Sequence, residues 1–317
     1  MNSSISISST TNLRLFFDYF DEKGIEWRSV AKRFHFPDGI EAGEHWLPTH
    51  HLMHFLSTVM GETQGNVGFE VGQRASIALF SPEFSEALNH CEDMASGIRL
   101  LMDVIPRISN HVVIWPDKIE GRWYLCHRGA YPPNLRGFAQ AEWFRSFLLL
   151  SFCREFLGTT WHPPSVKMMM HQHLTAGVQY QQLSNNISFN CEFGALEIPM
   201  AEDYVAVTLP VNRTSWIETL HALFATYAVL PHFNIDWLAR LCNTSRRTLQ
   251  RRLREHGVQF RTLRDQHRCA RAKHLLVDRA ISPTETAWHC GYSDLSNFNR
   301  AFIGWTGITP SQYQKSG

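Results

Sequence analysis

The sequence predicts an α+β N-terminal domain followed by an all-α C-terminal domain with two helix-turn-helix units joined by a long helix. Three observations carry this expectation. Period-2 segments are confined to the chain before residue 200. From Pro231 onward the chain reads as short capped helices. Within that part the spacing from Ala239 to Ser245 recurs 48 positions later, from Ala287 to Ser293.

The opening "MNSSISISSTTN" has no basic region followed by an apolar stretch, so it does not read as a signal peptide. Residues 1–12 are expected to be a disordered polar lead, and 13–209 the first domain, with a sizeable core. In that domain "SPEFSEALNHCEDM" opens a helix, with Ser81 before Pro82 and Glu83 and Glu86 in the first turns. "HVVIWPDKIEGRWYLCHRG" reads as two short strands turning near Gly121. "AEWFRSFLLLSFCREF" reads as a buried helix. Its apolar run is too short to span a bilayer and is interrupted by Arg145. After Pro163-Pro164, "SVKMMMHQH" and "ISFNCEFGALEIPM" supply one or two further strands.

Residues 210–215 read as a linker and 216–317 as the second domain, opened by the helix "SWIETLHALFATYAV". Asn234 is placed to cap "IDWLARL" and Ser245 to cap "RRTLQRRLREH", which Gly257 ends. "FRTLRDQHRCARAKHLLV" is the long joining helix. Ser282-Pro283 opens "TETAWHC", and Ser293 is expected to cap "DLSNFNRAFIGW". The two turns, "CNTS" and "CGYS", place Asn243 and Gly291 at matching positions. Both residue types tolerate the left-handed backbone such a turn needs.

Net charge is +1, but its distribution is uneven. From Pro231 to Gly317 there are 14 Lys+Arg against 6 Asp+Glu, so the acid excess lies before Pro231. A basic end on an acidic body suits a nucleic-acid surface on one domain only. The 7 cysteines are scattered and form no Cys-x-x-Cys pair, which argues against a disulfide framework. The expected location is the cytoplasm, associated with the nucleoid and not with a membrane.

"SRRTLQRRLREHG" carries five arginines. On a helical wheel Leu249 and Leu253 mark the buried side. Arg247, Gln250, Arg251 and Arg254 fall opposite, with Arg246 and Arg252 flanking. A guanidinium fork matches guanine's major-groove acceptors, a glutamine amide matches adenine, and flanking arginines suit phosphates. The bland alternative is a solvated basic face. In the second unit Phe298, Phe302 and Trp305 mark the core side. Ser296, Asn299, Arg300 and Ile303 face out, with Leu295 and Asn297 beside them. With one exposed cation, this helix is expected to contribute less electrostatic affinity; a purely packing role is its alternative.

These residues resemble the AraC/XylS family of bacterial transcription regulators. The resemblance rests on "LARLCNTSRRTLQRRLREHGVQFRTLRDQHR" and "AKHLLVDRAISPTETAWHCGYSDLSNFNRAFIGWTGITPSQY". It implies a seven-helix domain in a transcription factor, usually an activator, acting on promoter DNA and RNA polymerase without a cofactor. By position it implies base contacts at Arg247, Gln250 and Arg251, and at Leu295, Ser296, Asn297 and Arg300; the wheel adds Arg246, Arg254 and Asn299 as further DNA-binding candidates. Three departures stand out. Asn243 replaces the usual glycine, Ile303-Gly304 a basic pair, and Gln314 a terminal arginine. They weaken the second unit's expected hold on phosphates and leave one-unit binding or DNA bending open.

The first region resembles, more faintly, the arabinose-binding-like domain of one AraC subfamily, which implies a small-molecule effector or a homodimer. Its Phe, Trp, Met and His content suits an apolar pocket with a few polar contacts, and equally an aromatic core with no ligand. For an acidic ligand Arg74, Arg99 and Lys167 are candidates. His50, His51 and His54 lie close together, as do His171 and His173, but no third Cys or acid accompanies them. Structural histidines are expected there, not a metal site. Two other classes compete: an enzyme with a DNA-binding tail, though no phosphate loop or nucleophile elbow appears, and a nonspecific nucleic-acid binder.

Overall fold

The computed structural model describes residues 5–61, 66–175, 178–206 and 215–316. Among these the chain divides into two compact units. One holds 6–44 and 49–206; the other holds 215–316 with His45–Pro48 and Ile5. The proposed linker 210–215 lies outside the described residues except for Ser215. No described helix is long and apolar enough to cross a membrane.

The N-terminal unit combines helices α1 (Arg14–Glu22), α2 (Trp27–Arg33), α3 (Thr49–Gly61), α4 (Val67–Arg74), α5 (Ile77–Phe80), α6 (Pro82–Leu88), α7 (Met94–Val104) and α8 (Phe138–Leu157) with β-structure. Its strands are β1 (Ile7–Ser9), β3 (Val113–Ile119), β4 (Arg122–Arg128), β5 (Val166–Lys167), β6 (Ile187–Ser188) and β7 (Gly194–Glu197); β2 (Trp46–Pro48) falls in the other unit. The five-stranded sheet runs β3-β4-β7-β5-β6, antiparallel except for the β5–β6 pair. Its outer hairpin sets Trp115 opposite Cys126, and Leu125 pairs onward with Leu196. The strands expected after Pro164 are short, because "MMM" leaves the sheet after Lys167. Met169 and Met170 instead donate their N–H groups to the buried Glu142 carboxylate of α8.

Helix α8 is buried on most of its circumference, with Trp143, Phe152 and Cys153 fully enclosed. Helix α4 lies against it because Gly68 and Gly72 have no side chain. A Cβ on Gly68 would sit 2.2 Å from the Gln140 carbonyl oxygen, and one on Gly72 would sit 2.8 Å from the Phe147 ring. Such approach is open only to glycine.

Residues 5–12, expected to be disordered, are not. Ile5, Ile7, Ser8, Ser9 and Thr10 are buried, Ile7–Ser9 is a strand, and a 3-10 turn follows to Leu13. Their polar content misled because the side chains bond inward. Ser8 Oγ lies 3.0 Å from Thr49 Oγ1, and the Ile7 N–H donates to Asn110 at 2.8 Å.

The C-terminal unit is helical: α9 (Trp216–Tyr227), α10 (Ile235–Leu241), α11 (Arg246–Glu255), α12 (Phe260–Val277), α13 (Pro283–His289), α14 (Leu295–Thr306) and α15 (Pro310–Ser316). Ser215 and Glu218 form a reciprocal capping box at the start of α9. Around α12, Ala272, Leu275 and Leu276 meet Ala287, Cys290, Phe298 and Phe302. Strand β2 belongs to this unit, where the Trp46 N–H donates to Thr226 Oγ1 at 2.8 Å. Gln314 donates to the Leu276 and Ile281 carbonyls at 3.0 and 2.9 Å, so it ties α15 to the end of α12.

Candidate nucleic-acid interface and N-terminal cavity

In the first helix-turn-helix, the Asn234 side chain caps α10 by accepting the Trp237 N–H at 2.9 Å. Ser245 caps α11 by accepting the Thr248 N–H at 3.1 Å. Between them Asn243 takes φ +48°, and the Thr244 N–H donates back to the Ala239 carbonyl at 2.9 Å. Leu249 and Leu253 are buried, while Arg246, Arg247, Gln250, Arg251 and Arg254 are exposed and Arg252 is half-buried. The exposed cations are only lightly held. Arg246 pairs with Asp236 at 3.1 Å and Arg251 with Glu255 at 3.6 Å, both between exposed partners. Pairs of this kind contribute little and open readily for a phosphate or base.

The second unit repeats the turn. Gly291 takes φ +77°, and the Tyr292 N–H donates to the Ala287 carbonyl at 3.0 Å. The buried guanidinium of Arg268 braces this turn. Its Nε donates to the Ala228 carbonyl at 2.7 Å, and it stacks over the Tyr292 ring at 4.9 Å. The cap of α14 is Asp294, not Ser293. Its carboxylate accepts the Asn297 N–H at 2.7 Å on one oxygen and the Asn297 side-chain amide at 2.5 Å on the other, and its backbone is the extended one that precedes the helix.

On α14, Ser296, Asn297 and Arg300 are exposed and Asn299 is half-buried. Leu295 is half-buried and packs on the core beside Tyr292 and Trp305, so it is less open than its wheel position implied. Arg300 donates to Asn297 Oδ1 at 3.1 Å, which links Asp294, Asn297 and Arg300 in one chain of bonds. Ile303, where a basic residue would add charge, is 41% exposed.

The N-terminal unit holds a partly open cavity with about 130 Å³ open to the centre of a water molecule. Its walls are mostly apolar, among them Phe16, Phe80, Phe84, Leu101 and Phe144. The arginines and lysine considered from sequence do not line it. Arg74 pairs with Glu22 at 2.6 Å, Arg99 reaches its own helix at the Ala95 carbonyl, and Lys167 lies over the Tyr124 ring. The cation in the wall is Arg145 of α8. The sequence did carry a signal for it, a charge inside the most apolar run of the chain.

His111 also lines the cavity. Burial and the nearby Arg145 push its pKa down to about 3, so it is neutral near pH 7. The Ala130 N–H donates to Nδ1, which leaves the proton on Nε2 facing Ser8 Oγ at 3.2 Å. Elsewhere burial, with His50 and His54 nearby, pushes His51 down to about 4, and His171 stacks on His173. Among the described residues no group of three or more His, Cys, Asp or Glu could hold a metal ion.

Residues 238–316 match the helix-turn-helix domain family. The chain is 27% identical over 173 residues to the ornithine utilization regulator of Pseudomonas aeruginosa, covering 50% of each chain. It is 38% identical over 71 residues to the HTH-type transcriptional regulator VirS of Mycobacterium tuberculosis, covering 22% of this chain and 21% of that one. The crystal structure of the transcriptional regulator CdpR from Pseudomonas aeruginosa aligns over 96% of this chain and 98% of its own, at 16% identity and a TM-score of 0.40. These curated relatives are thus matched over between 21% and 50% of their length.

Proposed function

We propose that this chain, whose C-terminal unit is an AraC-type helix-turn-helix domain, is a sequence-specific DNA-binding transcription activator. The observation that carries this reading is the register of α11. Two buried leucines turn Arg247, Gln250, Arg251 and Arg254 outward on one exposed face, at the recognition-helix position of the domain. Arginine forks and a glutamine amide are the side chains that distinguish guanine and adenine in the major groove. Arg246 and Arg252 flank that face and would meet phosphates.

The second unit would bind more weakly. Ser296, Asn297, Asn299 and Arg300 face out with a single cation among them, and Leu295 can offer only an apolar edge. Helix α12, 18 residues long, spans about 27 Å. With the turns at each end this approaches the ~34 Å between successive major grooves. The N-terminal unit would control activity through a small molecule held in its cavity, or through a homodimer. The partners are promoter DNA and RNA polymerase, in the cytoplasm at the nucleoid.

The test is selection of bound sequences from randomised DNA by the full-length protein, followed by competition against random duplex. The expected result is a defined motif, with specific binding on the order of a thousandfold tighter than nonspecific binding. Equal affinity for all sequences, with a steep salt slope, would make the chain a nonspecific binder.

A further inference from the structure

The polar residues of the N-terminal cavity form one connected group. Ser8 Oγ touches Thr49 Oγ1 at 3.0 Å, Ser109 Oγ at 3.4 Å and His111 Nε2 at 3.2 Å. The His111 ring lies 5.5 Å from that of Tyr131. Gly129 sits between His111 and Arg145: a Cβ placed on it would lie 3.6 Å from His111 Nδ1 and 3.6 Å from an Arg145 terminal nitrogen. Two other polar side chains in the wall are used for local structure. Asn12 donates to the Ser9 and Ile108 carbonyls, and Ser81 caps α6. The cavity therefore has one polar end, with a guanidinium in it, and an apolar remainder.

That guanidinium is incompletely satisfied. An arginine stays protonated in proteins and carries five N–H donors. Among the described residues no carboxylate lies within 4.0 Å of Arg145, and its one hydrogen-bond contact is His127 Nδ1 at 3.4 Å. Glu142, one turn earlier on α8, attracts it from a distance but directs its carboxylate to the Met169 and Met170 N–H groups at 2.6 and 2.8 Å. A largely buried charge without a close partner is costly to keep. A planar fork facing an apolar chamber fits a planar anion with an apolar body.

We propose that the cavity binds an amphipathic monocarboxylate, its carboxylate paired with Arg145 beside Ser8, His111 and Tyr131, and its hydrocarbon part lying against Phe16, Phe84 and Phe144. One negative charge suffices, because Glu142 already offsets part of the arginine's field. One water requires about 10–15 Å³ of the same measure of space, so the cavity takes roughly ten non-hydrogen atoms. That is the size of a medium-chain alkanoate or a phenylalkanoate. This assignment rests on the cavity being the effector site of the regulator.

The experiment is calorimetric titration of the full-length protein with octanoate, 1-octanol and octylammonium, repeated on Arg145→Met. Methionine keeps an unbranched apolar stem of similar bulk while removing the guanidinium and its charge. Wild type is expected to bind octanoate roughly tenfold or more tighter than octanol and to reject octylammonium; Arg145→Met should lose that preference while still binding octanol. Octanoate and octanol binding alike in wild type overturns the carboxylate assignment by itself, whether or not the variant folds, and leaves the cavity as an effector site. A folded Arg145→Met protein that keeps wild-type octanoate affinity overturns the assignment in the same way. Binding of none of the three overturns both the assignment and the effector reading of the cavity.

Discussion

Asn243 and Gly291 hold the same place in two turns 48 residues apart, both with left-handed backbone, at φ +48° and +77°. Each is followed by a residue whose N–H returns to an alanine carbonyl five positions earlier, Thr244 to Ala239 and Tyr292 to Ala287. The two positions should respond differently to substitution. Asn243→Gly relieves the left-handed strain and is expected to raise stability by up to about 1 kcal/mol. Gly291→Ala is expected to cost about 3 kcal/mol or more. It strains the backbone and places a Cβ 2.7 Å from the Val229 carbonyl oxygen and 2.9 Å from that of Leu230. Urea unfolding of the two variants checks both; a neutral Gly291→Ala would contradict the close approach.

Within α11, base-facing and flanking arginines should separate. Arg251→Ala is expected to cost about 1–3 kcal/mol at the selected motif and to relax preference at one base position. Arg246→Ala should weaken motif and random DNA alike and lower the salt slope by about one. Binding isotherms at several salt concentrations on both DNAs distinguish them. If Arg251→Ala leaves motif affinity and promoter activity unchanged, the role given to this face is wrong.

Ile303 offers a gain-of-binding check. It is exposed one turn after Asn299 on α14, and Arg300 is the one cation on the same face. Ile303→Arg is expected to tighten DNA binding and steepen the salt slope by about one if α14 lies on the duplex. An unchanged slope would mean that the second unit does not approach phosphate there.

Acid should destabilise the N-terminal unit through its buried histidines. Burial, reinforced by Arg145, pushes His111 down to about 3, and burial next to His50 pushes His51 down to about 4. Unfolded histidines protonate near pH 6.5. Between about pH 6.5 and 4 the unfolded chain therefore binds more protons than the folded one, and stability falls as pH falls. At pH 5 the His111 contribution alone is on the order of 2 kcal/mol. Denaturation midpoints at pH 7.5 and 5 measure this, and His111→Gln should flatten part of the difference.

Glu142, 1% exposed, supports two backbone N–H groups. Glu142→Ala leaves both donors buried without a partner and is expected to cost about 2–4 kcal/mol, read as a lower thermal midpoint. Glu142→Gln keeps one acceptor and should cost less.

What was legible in the sequence is what short-range physics fixes. Asn234 and Ser245 cap the helices they were expected to cap, and Ser282 caps the helix that Ser282-Pro283 was expected to open, because a cap bond closes within three residues. The register of α11 followed from the spacing of Leu249 and Leu253 alone. Where two neighbouring residues compete locally, as Ser293 and Asp294 do, sequence could not choose; the helix begins after Asp294, whose carboxylate holds Asn297.

The sequence by itself determined the two-part architecture, the repeated turn and the basic helix face, since each depends on residues a turn or two apart. Only the tertiary structure decided that Ile7–Ser9 of the polar lead is a buried strand, that His45–Pro48 belongs to the C-terminal unit, and that Arg145 lines a cavity while Glu142 anchors Met169 and Met170. Those outcomes rest on contacts between segments distant along the chain. Such contacts form when hydrophobic packing brings the segments together, and helical or strand periodicity carries no record of which segments will meet.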